Sequence, residues 1–212
     1  MNKLTVPFLD HLSSTTSIAG VADSLRKLQK QSIDCTPWKA YPYKPDVHFS
    51  IAYNAAAVLL QYTVREEAIR AACGNINDPV YKDSCVEFFI CLDDDASYYN
   101  FEFNCIGTVL AGFGKGREER EILHSEALQK IKRQVCISRG EGPEILWEIT
   151  IAIPLETFLH HAPLSLKEKN CRANFYKCGD ELPEPHFLSW TNIGSSEPNF
   201  HLPEFFGVLQ FQ

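Results

Sequence analysis

The sequence lacks several features that would assign it to a common functional class. It has no apolar run of the ~18–20 residues needed by a membrane-spanning helix, so no membrane partner is expected. It lacks a phosphate-binding Gly-rich loop, a Gly-x-Ser-x-Gly elbow and a His-Glu-x-x-His zinc motif. Methionine occurs only at Met1, which argues against haem held by methionine. The net charge of −7 is opposite in sign to a phosphate-backbone binder, so no nucleic-acid partner is expected.

Disulfide and zinc motifs are also missing, although the chain has eight cysteines. No Cys-x-x-Cys pair occurs, which gives no support to a metal site or to thioredoxin-like chemistry. Most of the cysteines lie in apolar segments, where cysteine acts as a small hydrophobe: Cys85, Cys91, Cys105, Cys136, Cys171 and Cys178. We therefore expect reduced core thiols, no metal and a reducing compartment.

The first residues do not resemble a secretory signal peptide. Pro7 and Asp10 interrupt the segment that would have to form its long apolar centre. With the reduced-looking cysteines, this predicts a cytoplasmic location.

Length and composition favour one packed domain over residues 1–212. Apolar residues make up 45% of the chain and aromatic residues 12%, enough for a substantial core. Residues 1–33 are predicted to be an N-terminal extension. Within it, apolar residues at helical spacing predict a short helix over about residues 20–31.

Strand-like segments dominate the rest of the chain. No glycine-rich strand–helix turn occurs, and strands do not alternate with helices. This pattern predicts an all-β, antiparallel β-sandwich, jelly-roll-like, with about ten strands and minor helical excursions. Residues 118–132 fit either a helix or an irregular segment, and Pro154 is predicted to begin a short helix. The predicted strands cover residues 47–53, 58–64, 85–92, 98–105, 109–113, 135–138, 146–153, 171–177, 187–190 and 208–211.

The most informative segments are the neighbouring strands at 85–92 and 98–105. Because side chains alternate along a strand, Val86, Phe88 and Ile90 should share one face and Glu87 the other. The second strand repeats this, with Glu102 and Asn104 opposite Phe101 and Phe103. Carboxylates and a carboxamide among aromatic rings are suited to sugars, which offer apolar C–H faces and hydroxyl donors.

Other residues are candidates for the same site. Arg172 shares a predicted face with Asn174 and Tyr176, suited to hydroxyl recognition or to neutralising Glu102. Aromatic rings at Tyr81 and Phe200 are candidates for stacking, and His201 is adjacent. Two alternatives stay open for the carboxyl pair: a structural role, paired with Arg172 or Lys82, or a catalytic role as in glycosidases.

Four segments in order give the chain a family resemblance. They are Asp83-Ser-Cys-Val-Glu-Phe-Phe, Tyr98-Tyr-Asn-Phe-Glu-Phe-Asn-Cys-Ile-Gly, Trp147-Glu-Ile-Thr-Ile-Ala-Ile-Pro154 and Phe200-His-Leu-Pro-Glu-Phe-Phe-Gly-Val-Leu-Gln-Phe211. With them the chain resembles a family 9 carbohydrate-binding module of the DOMON-like superfamily, from about Asp34 to the end.

The resemblance implies a sugar held between two tryptophans, with polar groups nearby. The family's strand glutamate corresponds to Glu87, and an arginine position corresponds to Glu102, with reversed charge. The first tryptophan position corresponds to Val80, beside Tyr81, and the second to Phe200. The family's structural calcium has no clear acidic counterparts near this N-terminus, and Asp93–Asp95 is predicted to be a solvated hairpin loop.

The sequence therefore predicts non-catalytic binding of a mono- or oligosaccharide. The predicted site comprises Tyr81, Glu87, Glu102, Asn104, Arg172, Phe200 and His201. No cofactor is predicted, and a structural calcium ion stays an open alternative. One alternative is a protein–protein or assembly domain on the same fold, with a homo-oligomer or another protein as partner. The other is a glycoside hydrolase that uses Glu87 and Glu102.

Overall fold

A computed structural model describes residues 2–92, 97–139 and 142–212. Asp93–Asp95, predicted to be a hairpin loop, lie outside these ranges. The described residues contain thirteen strands and two α-helices: β1 (Lys3–Val6), α1 (Ile18–Leu25), β2 (Gln31–Ser32), β3 (Asp46–Tyr53), β4 (Ala57–Glu66), β5 (Cys85–Cys91), β6 (Tyr98–Asn104), β7 (Val109–Gly114), β8 (Arg120–Ile122), α2 (Ser125–Gln129), β9 (Lys132–Arg139), β10 (Ile145–Pro154), β11 (Asn170–Cys178), β12 (Phe187–Ser189) and β13 (Gly207–Phe211). Short 3₁₀ turns occur at Val80–Lys82, Leu155–Thr157, Leu159–His161 and Pro203–Phe205.

The strands form two sheets that pack as a β-sandwich, which confirms the predicted fold class. The larger sheet has the order β1-β13-β11-β5-β6-β7-β8, with β12 paired to β11, and the smaller sheet has the order β2-β3-β4-β10-β9. The pairs are antiparallel except β1 with β13, which are parallel. The predicted count of about ten omitted β1, β2 and β8, because strands of two to four residues show too little alternation to be recognised.

The alternation predicted for β5 and β6 is present. Val86, Phe88 and Ile90 face the core between the sheets, together with Phe101 and Phe103. The opposite face of the larger sheet carries a second apolar cluster, which includes Phe89, Tyr98, Tyr176, Phe200 and Trp38 of the proline-rich loop. Every residue of β5 and β6 is therefore buried, and polar side chains on the outer face are removed from bulk water.

Helix α1 covers the outer face of the smaller sheet. Its apolar side packs on Ala52, Leu59 and Ala152. The helix begins earlier than predicted, because the Ser17 side chain caps it by accepting from the Gly20 N–H. No helix in the described ranges is both long and apolar enough to span a membrane.

Two further expectations are corrected. Pro154 ends β10 instead of beginning a helix, and only a 3₁₀ turn follows it. The ambiguous segment 118–132 contains both β8 and α2. All eight cysteines lie in the described ranges and are free thiols, but Cys136 is exposed because β9 is an edge strand.

Candidate ligand-binding site

A cavity of about 320 Å³ lies on the outer face of the larger sheet, within the size range of small-molecule sites. Strands β5, β6 and β11 provide one wall, and the segment 198–201 provides another. Five of the seven sequence-predicted site residues line it together: Tyr81, Glu87, Glu102, Phe200 and His201.

The two glutamates lie directly opposite each other on β5 and β6. They are 3% and 4% exposed, so each is almost completely removed from water. Glu102 Oε1 accepts from Asn100 Nδ2 at 2.9 Å, whereas the buried Glu102 Oε2 has no hydrogen-bond partner among the described residues. Glu87 Oε1 accepts from the Cys178 thiol at 3.1 Å. One carboxyl oxygen beside the cavity is thus left without a donor.

Burial governs the acid–base properties of this wall. Loss of solvation raises the pKa of Glu102 to about 7 and the pKa of Asp180 to about 6. It raises the pKa of Glu87 well above its usual value, and the neighbouring Cys178 and Glu102 add to the effect. Near pH 7 Glu102 is therefore divided between its protonated and ionised forms and Asp180 is mostly ionised, whereas burial favours the protonated form of Glu87, which can donate as well as accept hydrogen bonds.

Arg120 from β8 holds the wall in place. Its guanidinium donates to Asn100 Oδ1 and to the Gly112 carbonyl, and it lies 4.5 Å from the centre of the Tyr98 ring. Its own pKa is lowered by desolvation. Because Asn100 in turn donates to Glu102, Arg120 positions the carboxyl through one intermediate side chain.

His201 is neutral in this environment. Burial, with the nearby charges of Arg120 and Arg117, lowers the pKa of His201 to about 3. Its Nδ1 lies 3.0 Å from the Tyr98 hydroxyl, and its ring packs on Phe89. The hydroxyl therefore fixes the ring orientation, and Nε2 is its second polar atom.

The aromatic residues differ in what they present to the cavity. Phe200 is only 8% exposed, and one ring face is stacked on Tyr176 at a centroid distance of 4.1 Å. The ring face of Phe200 that packs on Tyr176 is therefore not available to a ligand. The predicted stacking role of Phe200 stays a prediction. Tyr81 and Phe187 are half-buried and also line the cavity.

Asn104 and Arg172, also predicted as site residues, do not line the cavity. Asn104 Nδ2 donates to the Cys73 carbonyl and to Asp83 Oδ2, each at 2.9 Å, because the chain before β5 covers this end of β6. Arg172 donates to the Pro203 carbonyl at 3.1 Å and to Cys91 Sγ at 3.4 Å.

The structural pairing considered for the two glutamates takes a different form. Glu102 is held by Asn100 and Glu87 by Cys178, whereas Lys82 pairs with Glu181 at 2.9 Å. The contacts found for Arg172 and Lys82 thus do not provide the predicted partners.

Several cavity residues were missed by the sequence analysis: Asn100, Arg120, Cys178, Asp180 and Phe187. Strand register explains the case of Cys178, since it pairs with Cys85 while Tyr176 pairs with Glu87. Alternation predicted which side chains share a face within each strand, but only the pairing of β11 with β5 brings Cys178 to Glu87.

The chain is similar to known proteins in both sequence and fold. A family model described as carbohydrate-binding family 9 matches residues 21–211. A protein of known structure from Bacteroides uniformis ATCC 8492, described as a candidate carbohydrate-binding protein, shares 39% identity over 99% of both chains, with a TM-score of 0.92. A comparison with curated proteins found no match.

Two solved structures of a family 9 carbohydrate-binding module from Caldicellulosiruptor kristjanssonii share the fold. The complex with glucose has 10% identity and a TM-score of 0.63, and covers 100% of this chain and 96% of the module. The complex with cellotriose has 11% identity and a TM-score of 0.62, and covers 100% and 94%.

Proposed function

The chain belongs to carbohydrate-binding family 9, and we propose that it binds a mono- or oligosaccharide, without catalysis, in the cavity beside Glu87 and Glu102. One observation carries the proposal: Glu102 lines the cavity, and its buried Oε2 atom has no hydrogen-bond donor within the described ranges. A buried acceptor without a partner costs about 1–3 kcal/mol, and a bound hydroxyl would remove that cost.

The other cavity residues suit a sugar. Glu87, Asp180 and His201 add polar atoms to the wall, while Tyr81 and Phe187 supply partly exposed rings for the C–H faces. The fold neighbours from Caldicellulosiruptor kristjanssonii were solved with glucose and with cellotriose, which makes these sugars the natural first probes.

Binding by a preorganised wall also fits the hydrogen bonds around it. Arg120 fixes Asn100, Asn100 fixes one oxygen of Glu102, and Tyr98 fixes His201. A ligand then meets side chains that are already oriented, so less conformational entropy is lost on binding.

Isothermal titration calorimetry with glucose, cellotriose and a panel of other mono- and oligosaccharides tests the proposal. At about pH 8, where Glu102 is mostly ionised, Glu102→Gln should lower the affinity for the sugar that binds roughly 10–150-fold, since hydrogen bonds to a charged group contribute about 1.5–3 kcal/mol. The matched control is Glu126→Gln, which removes an exposed carboxylate of α2 and should leave affinity unchanged.

Two results would contradict the proposal. If no saccharide binds, or if Glu102→Gln binds as tightly as the unaltered protein, the cavity is not the sugar site. The second result is hydrolysis of aryl glycosides by the unaltered protein that is lost in both Glu87→Gln and Glu102→Gln. The protein would then be a glycoside hydrolase that uses these two carboxyl groups for catalysis.

A further inference from the structure

One group of side chains at the cavity wall is not explained by sugar binding. Cys85, Glu87 and Cys178 are all buried, and one ligand-type atom of each lies within 4.8 Å of the other two. Cys85 and Cys178 are direct cross-strand partners on β5 and β11. Glu87 is two residues after Cys85, so the three side chains share one face of the sheet.

We propose that Cys85, Glu87 and Cys178 form a binding site for one zinc ion, with its fourth coordination position open to the cavity. Two thiolates and a carboxylate are a donor set that zinc accepts, and three protein ligands with one open position is the arrangement of reactive zinc sites. This inference concerns the metal alone and does not depend on whether a sugar binds.

The distances are close to those of a zinc site. A tetrahedral ion with sulfur at ~2.3 Å and oxygen at ~2.0–2.2 Å holds its ligand atoms roughly 3.5–3.8 Å apart. The three ligand atoms lie within 4.8 Å of one another, and Cys178 Sγ is 3.1 Å from Glu87 Oε1. Side-chain adjustments of up to about 1 Å would bring these distances to the tetrahedral values.

The charge environment supports a cation at this point. Burial disfavours the ionised form of Glu87, and Cys178, Glu102 and Asp180 add to this effect, while Lys177 is a cation that acts on Cys85. A divalent ion would supply the positive charge that allows the three ligands to ionise, as metal binding does for coordinated thiols.

Access to the site is provided by the cavity. Glu87 and Cys178 both line it, and Cys85 lies behind Cys178 as its pairing partner. The fourth ligand would therefore be a water molecule or an oxygen atom of whatever occupies the cavity. The sequence pattern could not indicate this group, since Cys85 and Cys178 lie far apart in the chain.

Titration of the metal-free, reduced full-length chain with Co²⁺, followed by competition with Zn²⁺, tests the proposal. Cobalt should produce a thiolate charge-transfer band and the ligand-field bands of a tetrahedral ion, and zinc should abolish both. Cys85→Ser and Cys178→Ser should each lower metal affinity by more than about a hundredfold, beyond the loss typical of an outer-shell partner.

Two other cysteines provide the controls. Cys91→Ser removes a buried thiol from the same strand and sheet face, and Cys136→Ser removes the exposed one. Both should bind cobalt as the unaltered protein does. Absence of a thiolate band, or a band that persists in Cys85→Ser and Cys178→Ser, would overturn the proposal.

A measurement on the unaltered protein avoids dependence on how the variants fold. In a crystal grown with zinc, the anomalous scattering peak should lie between Cys85 Sγ, Cys178 Sγ and the Glu87 carboxylate. A peak at another position, or no peak, would show that these three side chains do not bind zinc.

Discussion

The protein contains two buried groups of acidic side chains that differ in how fully their charges and hydrogen bonds are satisfied. Between the sheets, Glu66 accepts from Trp147 Nε1 at 2.6 Å and pairs with Lys177 Nζ at 2.9 Å. Lys177 also lies 2.7 Å from His186 Nε2, and burial, with the charge of Lys177, lowers the pKa of His186 to about 3. This group has its own cation: Glu66 Oε2 makes no hydrogen bond among the described residues, but it forms the ion pair with Lys177.

The group on the outer face of the larger sheet is less fully compensated. Arg120 and Arg117 act on Glu102 by charge, but in the described part of the chain Glu102 forms no ion pair and keeps one oxygen without a donor. Glu87 has Cys178, Glu102 and Asp180 as neighbours that disfavour its ionised form. A buried acid that is fully paired contributes to a structural network, whereas one that is unpaired beside a cavity retains capacity for a ligand. The difference directs the functional proposals to the outer face.

Removing Lys177, the cation that pairs with Glu66, should have the largest effect on stability. Lys177→Met leaves the fully buried Glu66 carboxylate without its ion pair, and should lower the free energy of unfolding by about 3–5 kcal/mol. Urea unfolding measures it. Lys82→Met is the control, since its partly exposed pair with Glu181 should contribute at most about 1 kcal/mol.

A second substitution checks the cause of that loss. In Lys177→Met, adding Glu66→Leu should restore most of the stability, because no uncompensated charge then remains in the core. A Lys177→Met variant as stable as the control variant would mean that the two groups do not differ as described.

The buried Glu102 should make the free energy of unfolding depend on pH. The pKa of Glu102 is raised from 4.5 to about 7 in the folded protein, so the folded state binds this proton more tightly than the unfolded state. Stability from this group therefore falls as pH rises from ~4.5 to ~7 and is constant above it. Relative to Glu102→Gln, the unaltered protein should lose on the order of 3 kcal/mol across that window.

Urea unfolding of both proteins at about pH 5 and about pH 8 provides the comparison. Only the difference between them is informative, because acids such as Asp83, whose pKa is lowered, act in the opposite direction. Glu126→Gln should follow the unaltered protein. A constant difference between Glu102→Gln and the unaltered protein would show that Glu102 is not proton-binding in this range.

Asn104 and Glu102 give the same comparison within one strand, β6. It lies two residues from Glu102 on the same face, but its amide donates to Cys73 and Asp83 and accepts from the Thr108 N–H at 2.8 Å. Asn104→Ala should therefore lower stability by about 1–3 kcal/mol while sugar affinity stays within about twofold. If Asn104→Ala instead reduced sugar affinity and left stability unchanged, Asn104 would belong to the binding site.

The sheet faces could be predicted from sequence because alternation is a local property. The positions of Glu87, Glu102, Phe101 and Phe103 follow from it, and both strands were placed to within a residue. The extent of α1 was less accurate: the helix was predicted over about residues 20–31, but it begins at Ile18, after the Ser17 cap, and ends at Leu25. Arg172 was placed on the correct face, but its partners are determined by the segment around Pro203, far along the chain.

The sequence by itself determined the ten longer or more regular strands among the thirteen in the described residues, which side chains share a face, and that acids and aromatics alternate in β5 and β6. It did so because pleating and hydrophobic burial act on neighbouring residues. Only the tertiary structure decided that Cys85, Glu87 and Cys178 meet, that Asn104 is engaged elsewhere, and that Glu102 keeps a free oxygen at a cavity. Those outcomes depend on strand register and on loops that cover the sheet, which bring together residues distant in the chain.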